Sequence, residues 1–66
     1  MKSYTNSQME QLIDDHIHNA MHRQVLKLRL IDGLTYEKIA EDVDRTPRQI
    51  GYILSRDIPV ISKYLM

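Results

Sequence analysis

Three groups of residues have side chains suited to chemistry. The first is His16, His18 and His22, a residue type that binds transition metals through its ring nitrogens. Asn19 stands between them as a helix N-cap, and no carboxylate falls at ligand spacing, so the three are expected to be solvated and no metal is implied. The second group is the carboxylate pairs Asp14–Asp15 and Glu41–Asp42. General acid–base work needs such pairs in a dry cleft, and a chain this short offers only polar helix faces. The third group lies toward the C-terminal end: Arg45, Arg48, Gln49, Tyr52, Ser55 and Arg56. A guanidinium can bond guanine in bidentate fashion or hold a phosphate, and a Gln amide can pair with adenine. This group is the one that a small domain can use.

Length and composition limit the rest. Sixty-six residues form one domain (1–66) near the lower end of what folds unaided. Without cysteine there is no disulfide framework and no thiolate zinc site, so stability must come from helix packing or a partner. The hydrophobic fraction of 42% is that of a folded chain. No apolar run reaches the length of a membrane span and nothing reads as a signal peptide, so the expectation is a cytoplasmic protein with no membrane contact. Nine basic residues balance nine acidic ones, but unevenly. Residues 1–43 carry five Lys/Arg against seven Asp/Glu, and residues 44–66 carry four against two. The basic excess coincides with the third group.

Helical spacing supplies the elements that must position that group. Residues 1–4 are expected to be a flexible tail. Thr5 with Gln8 forms a capping box, and Met9, Leu12, Ile13 and Ile17 follow at helical spacing, giving a first helix over 6–18. Asn19 caps a second helix over 20–32, with Met21, Val25, Leu28 and Ile31 inward and Leu26 and Leu30 widening the stripe. Asp32-Gly33 ends it, because Gly tolerates the left-handed conformation of a helix stop. Thr35 caps a short third helix with Tyr36, Ile39, Ala40 and Val43 on one side. Thr46-Pro47-Arg48-Gln49 is the clearest local signal: a capping hydroxyl, a proline at the first helical position and a capping-box glutamine. Pro59 then forbids an undisturbed continuation, so a kink or a separate last turn is expected over 58–65. The fold class is all-α, a small four- to five-helix domain. Leu12, Ile17, Val25, Leu28, Ile39, Ala40, Ile50 and Ile53 are its expected core.

Two short helices joined by a tight turn at 44–45 read as a helix-turn-helix over 35–56. Ala40 is the small residue at the helix crossing, and Ile39, Val43, Ile50 and Ile53 fix the inner faces. The outer stripe of the second helix is Arg48, Tyr52 and Ser55, flanked by Gln49, Gly51 and Arg56. Backbone N–H groups at Thr35 and Thr46 are expected to receive phosphate oxygens.

The segment LTYEKIAEDVDRTPRQIGYILS (34–55) resembles region 4 of bacterial sigma factors, the part that reads the promoter −35 element. The run from 4 to 65, with LRLIDGLTYEKIAE at its centre, is similar to small sigma-like helix-turn-helix proteins of phages and mobile elements in Firmicutes. The resemblance implies that Arg48, Gly51 and Tyr52 meet bases while Thr35, Tyr36 and Arg45 meet backbone. The sequence departs from the pattern at three positions. Asp44 stands where a Gly commonly makes the turn, at a conformational cost. Arg45 stands where an apolar residue plugs the turn, and is either turned toward phosphate or a sign of a looser turn. Gly51 stands where the pattern has a DNA-reading Arg, which removes a contact and about 1 kcal/mol of helix propensity.

The function expected is therefore a sequence-specific double-stranded DNA-binding transcription regulator, not an enzyme and without a cofactor. Its DNA-binding set is Thr35, Tyr36, Arg45, Thr46, Arg48, Gln49, Gly51, Tyr52, Ser55 and Arg56. A single reading helix gives too little contact for a specific site, so the chain is expected to form a homodimer through 58–65 or to be recruited by another protein such as RNA polymerase. The competing reading is a protein-interaction module that docks on RNA polymerase or a sigma factor without reading DNA.

Overall fold

The computed structural model describes residues 5–65, and the tail expected over 1–4 lies outside them. Four helices follow in order: α1 (Asn6–His16), α2 (Ala20–Leu30), α3 (Tyr36–Val43) and α4 (Pro47–Ser62). There is no strand among the described residues.

Each helix begins where a side chain satisfies the first backbone N–H groups, which have no carbonyl of their own. Thr5 Oγ1 accepts from the Gln8 N–H at 3.1 Å while Gln8 Oε1 accepts from the Thr5 N–H at 2.9 Å. Asn19 Oδ1 accepts from Met21 and His22 at 2.9 and 3.1 Å. Thr35 Oγ1 accepts from Lys38 at 3.2 Å. Thr46 and Gln49 form the second capping box, both bonds at 3.2 Å. All four starts agree with the sequence reading.

The helix ends differ from it. The first helix stops at His16, not 18, because Ile17 turns extended (φ −113°, ψ 115°). That conformation puts Ile17 into the core and frees its carbonyl, which accepts from Arg23 Nη1 at 3.0 Å. The second helix stops at Leu30, short of the expected 32. Gly33 takes the left-handed conformation (φ 71°), and the Leu34 N–H closes back on the Leu28 carbonyl at 3.0 Å.

At Pro59 the sequence leaves two alternatives, a kink or a separate last turn. No separate last turn forms over 58–65; α4 runs unbroken for 16 residues with Pro59 inside it. A proline in a helix leaves the carbonyl four residues earlier without its N–H. Here that carbonyl belongs to Ser55, and both Ser55 and Pro59 are exposed, so water can satisfy it. Continuation is favoured by burial. Leu54 and Ile61 lie two turns apart on one face and both are almost wholly buried. The Ser62 hydroxyl adds a bond to the Ile58 carbonyl at 2.8 Å.

α2 and α4 each pack against all three other helices, whereas α1 and α3 do not meet each other among the described residues. The core is one cluster of Ile13, Ile17, Val25, Leu26, Ile39, Ala40, Ile50, Ile53, Leu54 and Ile61, and no polar residue is buried among the described residues. Six of the eight expected core residues are there. Leu12 and Leu28 are only half-buried, and Ile13 and Leu26 take the central places at 0% exposure. The inward stripe of α2 is thus centred on Val25 and Leu26, because the helix must face α1, α3 and α4 at once. The stretch 58–65 is the expected homodimer surface. Ile61 is in the core, however, and Ile58, Val60 and Leu65 pack against it.

Two polar links complete the assembly. Asp14 on α1 faces Lys27 and Arg23 on α2 at 2.9 and 3.9 Å. His22 Nδ1 on α2 meets Asp57 Oδ2 on α4 at 2.8 Å, and His16 stacks on Tyr64 with ring centroids 3.8 Å apart. Two of the three histidines expected to be solvated are therefore packing residues, and only His18 is exposed. No three metal-ligating side chains come together among the described residues.

Leu26→Ala should cost about 2–5 kcal/mol, the range for emptying a fully buried leucine site, and Leu28→Ala should cost clearly less. Urea unfolding of both variants followed by circular dichroism checks the order; a larger loss for Leu28→Ala would contradict this core.

Candidate functional site

The site is the outer surface of α3, the turn after it, and the first half of α4. The turn holds it together. Val43 ends α3 and Asp44 takes the left-handed conformation (φ 57°, ψ 50°), alone among the non-glycine described residues. The Arg45 N–H then bonds the Ala40 carbonyl at 2.9 Å and the Asp44 N–H the Glu41 carbonyl at 3.4 Å. This pair of back-bonds is a Schellman closure with Asp in the glycine position. The closure decides between the two readings of Arg45: the turn is regular, and Arg45 projects from it, exposed. Only residues 44–46 separate the two helices, and Ala40 lies buried between them.

On α4, Pro47 and the capping box make the abrupt start that the sequence implies. The same box occupies groups expected to be available. The Thr46 N–H, assigned to a phosphate, donates instead to Gln49 Oε1. One of the two lone pairs of the Gln49 oxygen is therefore taken by the cap. Pro47 has no N–H and the Gln49 N–H goes to Thr46 Oγ1, which leaves the Arg48 N–H as the first-turn donor facing outward. The Arg48 side chain is exposed, and nothing among the described residues engages it.

At about 100° per residue, Arg48, Ser55 and Tyr52 fall within a sector of roughly 60° on the side of α4 opposite Ile50, Ile53 and Leu54. Ser55 Oγ donates to the Tyr52 carbonyl at 2.9 Å. Tyr52 is 61% exposed, and its hydroxyl accepts from Arg56 Nη1 at 2.8 Å. The guanidinium carbon of Arg56 lies 5.6 Å from the centre of the Tyr52 ring. The hydrogen bond to Tyr52, and then its charge interaction with that residue, raise the already high pKa of Arg56.

The opposite flank belongs to Tyr36. Expected to face inward with Ile39, Tyr36 instead lies at the surface, and so does Tyr64. The Tyr36 ring covers Gly51: a Cβ built on Gly51 would sit 3.5 Å from Tyr36 Cε2. Gly51 is thus half-buried beside α3, whereas the resemblance puts this position against bases. Arg29 was not among the expected site residues. Its guanidinium lies over the Tyr36 ring at 5.1 Å and donates to the Leu34 carbonyl at 2.9 Å. No spacing rule links positions 29 and 36 across a loop, so the sequence carried no signal for this stack. Glu37, Glu41 and Asp42 are exposed on α3, which keeps the basic character of the site on α4 and the turn.

No family model, curated protein or solved structure matches this chain. The resemblance to sigma region 4 rests on the motif residues themselves.

Gly51→Ala should stabilise the domain by about 0.5–1 kcal/mol. Alanine is the better helix former by that amount, and its methyl group would meet Tyr36 at ordinary van der Waals distance. A urea titration of the variant measures this; a loss of stability would mean that the tyrosine ring cannot accommodate the methyl.

Proposed function

We propose that this protein is a sequence-specific double-stranded DNA-binding transcription regulator of the sigma region 4-like kind, encoded by a phage or mobile element. It would read DNA with α4. The observation that carries this reading is the α3–turn–α4 unit: two helices joined by three residues, the second starting abruptly at a capped proline and presenting an exposed Arg48 within its first turn. In a helix-turn-helix the N-terminal residues of the second helix meet base edges in the major groove. Arg48 is the side chain there with an unengaged bidentate fork. Arg45 on the turn and Arg56 on the flank supply phosphate contacts.

This contact is small for a specific complex, so the domain acts with a partner. Both pairing through 58–65 and recruitment by RNA polymerase or another DNA-bound protein are consistent with that need. The inward packing of Ile58, Val60, Ile61 and Leu65 favours recruitment. Cooperation of this kind multiplies affinity through effective concentration.

Selection of bound duplexes from a random library, followed by gel shifts across salt concentrations, tests the reading. Arg48→Ala should weaken the selected site by about 1–3 kcal/mol and other duplexes less. Arg45→Ala should weaken all duplexes alike and flatten the dependence on salt. Wild-type protein that binds no duplex even at low salt would refute the proposal and leave docking on a protein as the alternative.

A further inference from the structure

On the outer face of α4, Tyr52 and Arg56 form one unit. They are four residues apart, so their side chains lie on adjacent turns of one face. The Arg56 Nη1 N–H donates to the Tyr52 hydroxyl at 2.8 Å, and the guanidinium lies 5.6 Å from the ring centre. Both residues are exposed. A free arginine side chain at a surface loses much rotamer entropy when it is immobilised. Here the hydroxyl and the ring hold the guanidinium in place beforehand. One of its five N–H donors is used by the Tyr52 hydroxyl, which leaves four.

We propose that Tyr52 is a positioning residue whose task is to hold Arg56 against a backbone phosphate of duplex DNA, and that it does not itself read a base. The proposal rests on the DNA-binding reading above and deepens it. It keeps Arg56 on phosphate and takes Tyr52 out of the base readers, where the resemblance puts it. Three observations support it. The Tyr52 hydroxyl, the one polar group with which the ring could address a base edge, already accepts from Arg56, which leaves it only its own O–H to donate. Arg56 lies eight residues beyond Arg48, about 12 Å further along the helix axis at 1.5 Å per residue. It is therefore removed from the N-terminal turns that enter the groove. It is also rotated roughly 80° from Arg48 around the helix, toward a flank of the stripe where a groove wall, and so a phosphate row, would lie.

A double-mutant cycle on duplex binding tests this. The full chain carries Tyr52→Phe, Arg56→Gln or both, and affinity for a selected duplex and for a random duplex is measured between 0.05 and 0.3 M salt, on the order of physiological strength. Loss of one phosphate contact should lower affinity roughly fivefold to tenfold near 0.1 M salt and reduce the slope against log salt by about 0.9. Arg56→Gln should show this loss on both duplexes. Tyr52→Phe, which removes a single oxygen from an exposed ring, should show a large part of it although no charge has changed. The double variant should be no weaker than Arg56→Gln alone. A purely structural role for Tyr52 would lower affinity without altering the salt slope, and circular dichroism melting checks that each variant is folded. Wild-type affinity in Tyr52→Phe, or penalties that add in the double variant, would overturn the proposal while leaving DNA binding intact. Absence of duplex binding by the wild-type chain would instead overturn the reading on which it rests.

Discussion

The packing of α2 against α4 is the constraint on which the other features depend. These two helices alone touch every other helix, and their inward residues, Val25, Leu26, Ile50, Ile53, Leu54 and Ile61, make up most of the core. In a domain this small, each fully buried aliphatic side chain is a large share of the total stability. The packing fixes the path of α4, carries it through Pro59, and sets which of its faces remains in water. Arg48, Tyr52 and Ser55 are exposed because Ile50, Ile53 and Leu54 are buried. The exposed face that carries the candidate site is thus a consequence of the core.

Around this core the polar side chains act mostly on helix ends and helix seams. Four side-chain caps define the starts. Asp14 with Lys27, and His22 with Asp57, tie α2 to its neighbours on either side. The cost of a left-handed Asp44 is offset by two backbone hydrogen bonds that seal the end of α3. A glycine would relieve the strain, and Asp44 holds the turn closed without one.

The candidate interface shows how structural and recognition duties compete for the same atoms. Gln49 and the Thr46 N–H satisfy each other, Gly51 receives the Tyr36 ring, and Tyr52 holds Arg56. Of the ten residues the sequence nominates, several build the platform, and Arg48 and Arg45 are left with unengaged guanidinium groups. A small domain has few residues to spare. It presents a few charged groups in defined positions on a surface that is otherwise occupied in holding itself together.

The sequence by itself determined what is local. Capping boxes, the proline at the first helical position and the glycine stop are set by residues within four positions of one another, and each was legible in Thr5-Gln8, Asn19, Thr35, Thr46-Pro47 and Gly33. The all-helical class and most of the core followed from periodicity. The tertiary structure decided what depends on residues distant in sequence. It shifted the buried stripe of α2 from Leu28 to Leu26, because three neighbours surround that helix. It carried α4 through Pro59, with Ile61 buried in the core beyond it and Ser55 and Pro59 facing water. It set Arg29 on Tyr36 and His22 on Asp57, pairs that no spacing rule connects, because their meeting follows from how the helices cross.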